Sequence, residues 1–436
     1  MKVYKFGGAS VKNASAVKNM AGIIGKHGSE PLIVVISAMG KTTNALERLV
    51  EFYFQGTVET QKKLFEQIKN YHYQIIEELF ADKKHDIYLT VDQIFYHLYY
   101  YLRESPGRNY NFEYDRIVST GEILSTKIIS AYLKFTGIEN RWFDARQLII
   151  TDSNYRDATV DWLKTENLIQ DKILQYLNKR KSKGLSAVGI TQGFLGGTTQ
   201  GFTTTLGREG SDYTAAIIAY ALKAQEVVIW KDVAGVLNAD PKLFKNTNLL
   251  RNISYQEAIE LSYYGATVIH PKTLKPLLKK GIPLKVRSFY HPENEGSLIN
   301  HETKDDNLLP SYIIKFNQVL LSVFPKDFSF IAEKNLSRIF SECAKNSIKI
   351  NLMQNSALSF SICFDQDRIK TPNLLKSLRK IYTVKYNTNL QLITIRHYEK
   401  ANLEQLLHGK NILIEQKNRT TLQWVVKESD RKLEGI

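Results

Sequence analysis

The sequence predicts an α/β protein with a mostly parallel central sheet, followed by a smaller α+β module of the ferredoxin-like kind. Three observations predict it. The first three hundred residues alternate between short β-rich runs and amphipathic helical patterns, which is how a parallel sheet with helical crossovers reads. A polar stretch, His291-Pro292-Glu293-Asn294-Glu295-Gly296-Ser297 through Lys304-Asp305-Asp306-Asn307 to Pro310, then offers breakers and little to bury. Beyond it the pattern becomes strand, helix, strand, strand, helix, strand, the order of a ferredoxin-like sandwich.

In chain order, the strand candidates of the first part are 2–6, 32–37, 187–192, 226–231 and 282–286, apolar enough to sit inside a sheet covered on both faces. Between 59 and 103, apolar residues recur at helical spacing (Leu64, Ile68, Ile75, Leu79, then Ile94, Leu98), implying one or two long helices that serve core packing before any lid role. The second part reads as strand 319–324, helix 336–345, strands 348–353 and 358–364, helix 374–381 and strand 390–395. A reduced second copy follows, with a short helix at 403–407 and strands at 411–415 and 421–426. The expected domains are therefore 1–300 and 311–436.

Composition limits the function. Of 436 residues, 43% are hydrophobic and 24% charged, a soluble globular balance. Apolar runs are strand length, well short of the roughly 20 residues that span a bilayer, and the N-terminus lacks the apolar core of a signal peptide. No membrane partner and a cytoplasmic location are expected. The net charge of +15 is spread along the chain, with no nucleic-acid recognition motif, so nucleic acid is not expected as a partner and a small anionic substrate is. Cys343 and Cys363 stand without a second pair or a histidine cluster, which favours buried thiols over a disulfide or a zinc site.

Two motifs carry chemistry. Lys5-Phe6-Gly7-Gly8-Ala9-Ser10 follows the first strand, where adjacent glycines bring backbone N–H groups close to phosphate oxygens and Lys5 adds a cation. Thr203 to Thr214 gathers hydroxyls, glycines and Arg208 before a helix, with Ser211 or Asp212 as candidate cap. Arg208 can grip a carboxylate with two parallel hydrogen bonds, which lysine cannot. Gly40-Lys41-Thr42 is no P-loop, since Val35 stands where that motif needs glycine.

These segments resemble the aspartate kinases, within the wider amino acid kinase fold. The resemblance covers nearly the whole chain and runs in order through Lys5 to Ser10, Ser37-Ala38-Met39-Gly40-Lys41-Thr42-Thr43-Asn44, Ser119-Thr120-Gly121-Glu122, Gly193-Phe194, Thr203 to Tyr213, Trp230-Lys231-Asp232 to Pro241, and Gly265 to Pro271. It implies a three-layer catalytic fold with C-terminal ACT-type modules. It also implies transfer of the γ-phosphoryl of ATP to the side-chain carboxylate of L-aspartate, opening the route to lysine, threonine and methionine. Lys5 would bridge substrate and γ-phosphate, oriented by Asp212. Ser37, Thr43, Glu122, Arg208 and Ser211 would hold aspartate. Gly7, Gly8, Ser10 and Gly210 would hold the phosphates, and Lys231, Asp232, Lys242 and Lys272 would face ATP, whose phosphates bring Mg²⁺ without a protein metal site. Glu122 suits the α-ammonium and Arg208 the α-carboxylate; the attacking carboxylate, ionised at neutral pH, needs no general base.

The resemblance further implies a homodimer through the ACT-type region. Departures from the family pattern fall at Lys231, Ala234, Leu237, Lys242 and Thr267 on the nucleotide side. In the regulatory region they fall at Asn351, Ser356 and Ala357, where lysine-sensitive members carry carboxylates, leaving lysine control and an ACT pair kept only for dimerisation both open. Asp240-Pro241 also reads as a helix start, and His270 as a structural histidine. Two other readings were weighed: a kinase of this fold acting on glutamate or a related carboxylate, and a catalytically weak amino-acid sensor. The intact Lys5, Glu122, Arg208 and Asp212 stand against both.

Overall fold

The structure is a computed structural model that describes residues 1–427 apart from Ser29, Thr267, Val268, Phe328 and His408. The departure noted at Thr267 therefore lies outside the described residues. The chain divides into two compact units. The first comprises Met1–Val236, Arg251–Ile259 and Ile269–Thr303; the second comprises Leu237–Leu250, Glu260–Val268 and the chain from Lys304 onward.

In the first unit β1 (Lys2–Phe6), α1 (Ala14–Gly25), β2 (Leu32–Ile36), α2 (Thr42–Gln55), α3 (Val58–Leu79), α4 (Ile87–Tyr101), α5 (Tyr110–Val118), α6 (Thr120–Phe135) and β3 (Asn140–Phe143) come first. A short β4 (Ile150–Thr151) leads to α7 (Trp162–Ile169) and α8 (Gln175–Lys181), joined by a π-helical turn. Then follow β5 (Val188–Gln192), the hairpin of β6 (Leu195–Thr198) and β7 (Thr203–Thr205), α9 (Gly210–Leu222) and β8 (Glu226–Lys231). The remaining elements are β9 (Asn252–Ser254), α10 (Tyr255–Tyr264), whose residues from Glu260 count with the second unit, α11 (Pro271–Lys280), β10 (Leu284–Ser288) and β11 (Ser297–Asn300). The strand expected at 282–286 thus starts two residues later, because Gly281 closes α11 in the left-handed conformation and Pro283 offers no donor to the ladder.

The central sheet has the order β3-β5-β2-β1-β8-β10-β11-β9 and is parallel except between β10 and β11. Every residue of β2 and of β5 is buried, the mark of strands covered on both faces. Tyr4, Phe6, Val34 and Ile36 point to one face and pack with residues of α1 to α6, among them Leu64, Ile68, Val91 and Phe95 of the two long helices. Those helices are core, as their periodicity implies. In open sheets of this kind ligands bind beyond the carboxyl ends of the strands, where the order reverses. Here that point is the end of β1, with Phe6 in register with Ile36 of β2 and Trp230 of β8.

The second unit is built on one six-stranded sheet, order β13-β14-β12-β15-β17-β16. Its elements are β12 (Ser311–Pro325), α12 (Glu333–Lys345), β13 (Ile350–Asn355), β14 (Phe360–Asp365), α13 (Lys370–Arg379), β15 (Tyr382–Arg396), α14 (Leu403–Leu407), β16 (Ile412–Lys417) and β17 (Thr421–Lys427). Two ferredoxin-like modules share β12 and β15. These strands run 15 residues each, longer than the sequence pattern suggests, and pair along their length across a bulge near Lys315 to Leu320. Asp240-Pro241 starts no helix. It forms a single turn in which the Asp240 carboxylate accepts the Lys242 N–H, and the polar run that follows has nothing to bury. Both cysteines are buried free thiols, pushed up to about 11 (Cys343) and about 12 (Cys363), mainly by burial. Among the described residues no helix is long and apolar enough to cross a membrane.

Candidate active site

The site is a cavity of about 530 Å³ at the carboxyl ends of β1, β2 and β8, lying wholly in the first unit. Of the residues singled out from sequence, Lys5, Ser37, Thr43, Glu122, Arg208, Gly210, Ser211, Asp212 and Lys231 line it.

The lining holds a charge cluster. Lys5, 8% exposed, places its ammonium 2.7 Å from Asp212, and Lys231 approaches the same carboxylate at 3.7 Å. Burial alone would push the Asp212 carboxyl up, but the Lys5 and Lys231 ammoniums hold it below the usual carboxylate range. One carboxylate thus aims two cations at the mouth of the strands. Asp212 does this from the first turn of α9 and does not cap it; neither does Ser211. The helix is entered from Glu209, whose left-handed backbone leaves both side chains inside the first turn. Glu209 instead reaches across to accept the His270 N–H at 2.8 Å, while His270 caps α11 by accepting the Lys272 N–H, a structural role for that histidine.

The glycine turn after β1 explains itself sterically. A Cβ on Gly8 would fall 2.7 Å from the Gly40 carbonyl oxygen and 2.9 Å from that of Ala38, so only glycine lets the first loop lie against the loop after β2. Gly7 stands beside Lys5, whose Nζ would be 3.3 Å from an added Cβ. Ser10 is turned inward: it is buried, its N–H donates to Gly7 and its hydroxyl to the Trp230 carbonyl at 3.3 Å, tying β1 to β8. In this structure the serine serves as a tie between the glycine turn and the end of β8.

The same cavity also offers groups that suit an ammonium and a carboxylate. Glu122, 2% exposed in the first turn of α6, accepts the Ala38 N–H through one oxygen, while the other has no hydrogen-bond partner among the described residues. Burial pushes its carboxyl up to about 8. Arg208 lies on the turn between β7 and α9. Gly207 before it has φ of 75°, and a Cβ there would meet the Asp157 carboxylate at 2.5 Å.

The remaining nucleotide-side residues lie apart from this lining. Asp232 is exposed in the turn after β8, Lys272 is ion-paired with Asp157, and Lys242 belongs to the second unit. The cavity also includes Glu47, Tyr114, Arg156 and Phe194, which sequence reasoning did not select. Phe194 was within reach, because it stands in the quoted Gly193-Phe194 pair. Arg156 carries no motif, and its place depends on a buried contact to α5 that no local pattern announces.

A strand-end cavity lined by a buried carboxylate that orients two ammoniums, by a guanidinium and by a second buried acid suits a phosphotransferase acting on a small ionised acceptor. Residues 1–288 match the model of the amino acid kinase family. The lysine-sensitive aspartokinase 3 of Escherichia coli (strain K12) is 31% identical over 409 residues, covering 90% of this chain and 86% of its own length. The chloroplastic aspartokinase 1 of Arabidopsis thaliana is 32% identical over 393 residues, and the match takes in 86% of this chain and 65% of that longer protein. Among solved structures, E. coli aspartokinase III in complex with aspartate and ADP superposes with a TM-score of 0.82 at 28% identity, covering 98% of this chain and 96% of that one. The chain belongs to the amino acid kinase family and, within it, to the aspartokinases.

Proposed function

We propose that the enzyme transfers the γ-phosphoryl group of ATP to the side-chain carboxylate of L-aspartate, giving 4-phospho-L-aspartate. The observation that carries this reading is the sharing of one cavity by the Lys5–Asp212–Lys231 cluster and the Glu122 and Arg208 pair. Glu122 takes the α-ammonium and Arg208 the α-carboxylate in a two-point grip. Ser37, Thr43 and Ser211 complete the acceptor contacts, so the side-chain carboxylate faces phosphorus. It attacks already ionised, and catalysis is positioning plus charge stabilisation by Lys5. Backbone N–H groups of Gly7, Gly8 and Gly210 hold phosphate oxygens. Lys231 and Asp232 face the nucleotide; Lys272, held by Asp157, and Lys242 are the further cations proposed for it.

Among the described residues no group of three His, Cys, Asp or Glu is placed to hold a metal ion, and Asp212 already carries two ammoniums. Mg²⁺ enters on the ATP phosphates, with the Asp212 carboxylate taken up by the ammoniums of Lys5 and Lys231. The enzyme works in the cytoplasm as a homodimer paired through its C-terminal modules. The test is a hydroxylamine trap: with Mg²⁺ and ATP, L-aspartate gives acyl hydroxamate, and faster turnover of L-glutamate would overturn the assignment.

A further inference from the structure

Asp115 is fully buried, belongs to none of the motifs and takes no part in the transfer chemistry described above. Its carboxylate accepts four hydrogen bonds from two separate segments. The Arg156 N–H donates to both oxygens at 3.0 and 3.2 Å, the Thr205 N–H donates at 2.9 Å, and the Thr205 hydroxyl at 2.7 Å. The Ala158 N–H closes the same junction by donating to the Thr205 carbonyl at 3.0 Å. One buried charge on α5 therefore staples the loop around residue 156 to β7, three residues before Arg208.

What the staple holds is an unusual backbone. Arg156 has φ of 73°, a left-handed conformation that a long side chain with a Cβ disfavours and that persists only where the surroundings enforce it. Such strain concentrates where a side chain must be aimed. Its guanidinium lies 4.4 Å over the ring of Tyr114, whose hydroxyl donates to Glu47. No carboxylate among the described residues forms an ion pair with it, and it lines the acceptor cavity together with Arg208 and Glu122. A cation stacked on an aromatic face and lining a site for a dicarboxylate has an obvious anion to meet. Burial raises the Asp115 carboxyl to about 6, and the hydrogen bonds from Arg156 and Thr205 work against that rise and favour the carboxylate.

Resting on the aspartate reading above, we infer that Arg156 is a second guanidinium of the acceptor site, binding a carboxylate of L-aspartate beside Arg208, and that Asp115 is the residue that positions it. Direct binding of L-aspartate by calorimetry, with steady-state kinetics on the full chain, tests this. Arg156→Gln is expected to weaken L-aspartate binding and raise its KM about tenfold or more, with kcat and KM for ATP within about twofold. Asp115→Asn turns an amide NH₂ toward N–H donors and is expected to raise the aspartate KM similarly. The double variant is expected to be no worse than Arg156→Gln alone, because the two act as one unit. Arg156→Gly keeps the left-handed backbone without strain; it should melt at a temperature no lower than the parent yet bind aspartate as poorly as Arg156→Gln, an outcome that does not depend on Asp115→Asn folding. Unchanged aspartate affinity in Arg156→Gln, or a double variant whose loss is the product of the two single losses, overturns the inference. A parent protein that binds no aspartate overturns the substrate assignment and this inference with it, whereas a parent that binds it as well as Arg156→Gln does removes only the inference.

Discussion

Glu122 joins its environment to a pH dependence. With its carboxyl raised to about 8 by burial, it is mostly protonated at pH 7 in the free enzyme, yet only the carboxylate can hold the α-ammonium of aspartate. Binding therefore releases a proton. The sign follows: raising pH from 6 towards 8 ionises the free enzyme in advance, so KM for aspartate should fall by up to about tenfold per pH unit and level off near 8. Glu122→Gln should bind aspartate weakly and flatten that profile; a variant retaining the slope would place the titration elsewhere. Lys5 works on the other substrate group. Its ammonium meets charge that develops in transfer, so Lys5→Ala should lower kcat by about a hundredfold or more while the aspartate KM changes only a few-fold. Single-turnover kinetics with saturating ATP would separate the two effects.

The elements that aim these side chains were legible in sequence to the extent that their cause is local. Near-continuous burial of 2–6 and 32–36 follows from the apolar runs of the strands themselves, and Gly7-Gly8 after a strand signals close backbone approach. What that approach meets is not local: the carbonyls of Ala38 and Gly40 arrive from another loop. The same limit explains the errors. Ser211 and Asp212 have capping chemistry, but Asp212 is pulled inward by Lys5 and Lys231 from other strands. Asp240-Pro241 has helix-start chemistry but no amphipathic run behind it. The turn itself makes a sharp test. Gly8→Ala forces a methyl against two backbone oxygens that cannot rotate away, and strain of about 1–3 kcal/mol is expected for such overpacking. Both kcat and melting temperature should therefore fall, since the loop bearing the site and its packing move together. Parent-like activity in this variant would show that the two loops are not pressed together.

At the scale of the whole molecule, the C-terminal sheet ends in two edge strands, β13 and β16, and an unpaired edge invites another chain. Met353 on β13 and Leu358 in the turn after it are 52% and 43% exposed, apolar surface that a second copy would cover, in keeping with the proposed homodimer. Beside that edge the chain supplies its own cation. The Lys315 ammonium donates to the Asn351 side-chain oxygen at 2.9 Å, and the Asn351 amide in turn donates to Gln318 at 2.8 Å and to Asp365 at 3.1 Å. Asp365 is the carboxylate joined to Asn351, and a resident ammonium already stands on the same asparagine. An added lysine would have to displace that ammonium or bury its own charge against neutral groups, and neither is favourable. Lysine titrated against activity should accordingly inhibit only weakly, in the millimolar range, and Met353→Glu should shift the solution mass by light scattering from dimer towards monomer. Micromolar lysine inhibition would show that Lys315 does not guard the segment, and a monomeric parent protein would show that the edge of β13 stays bare.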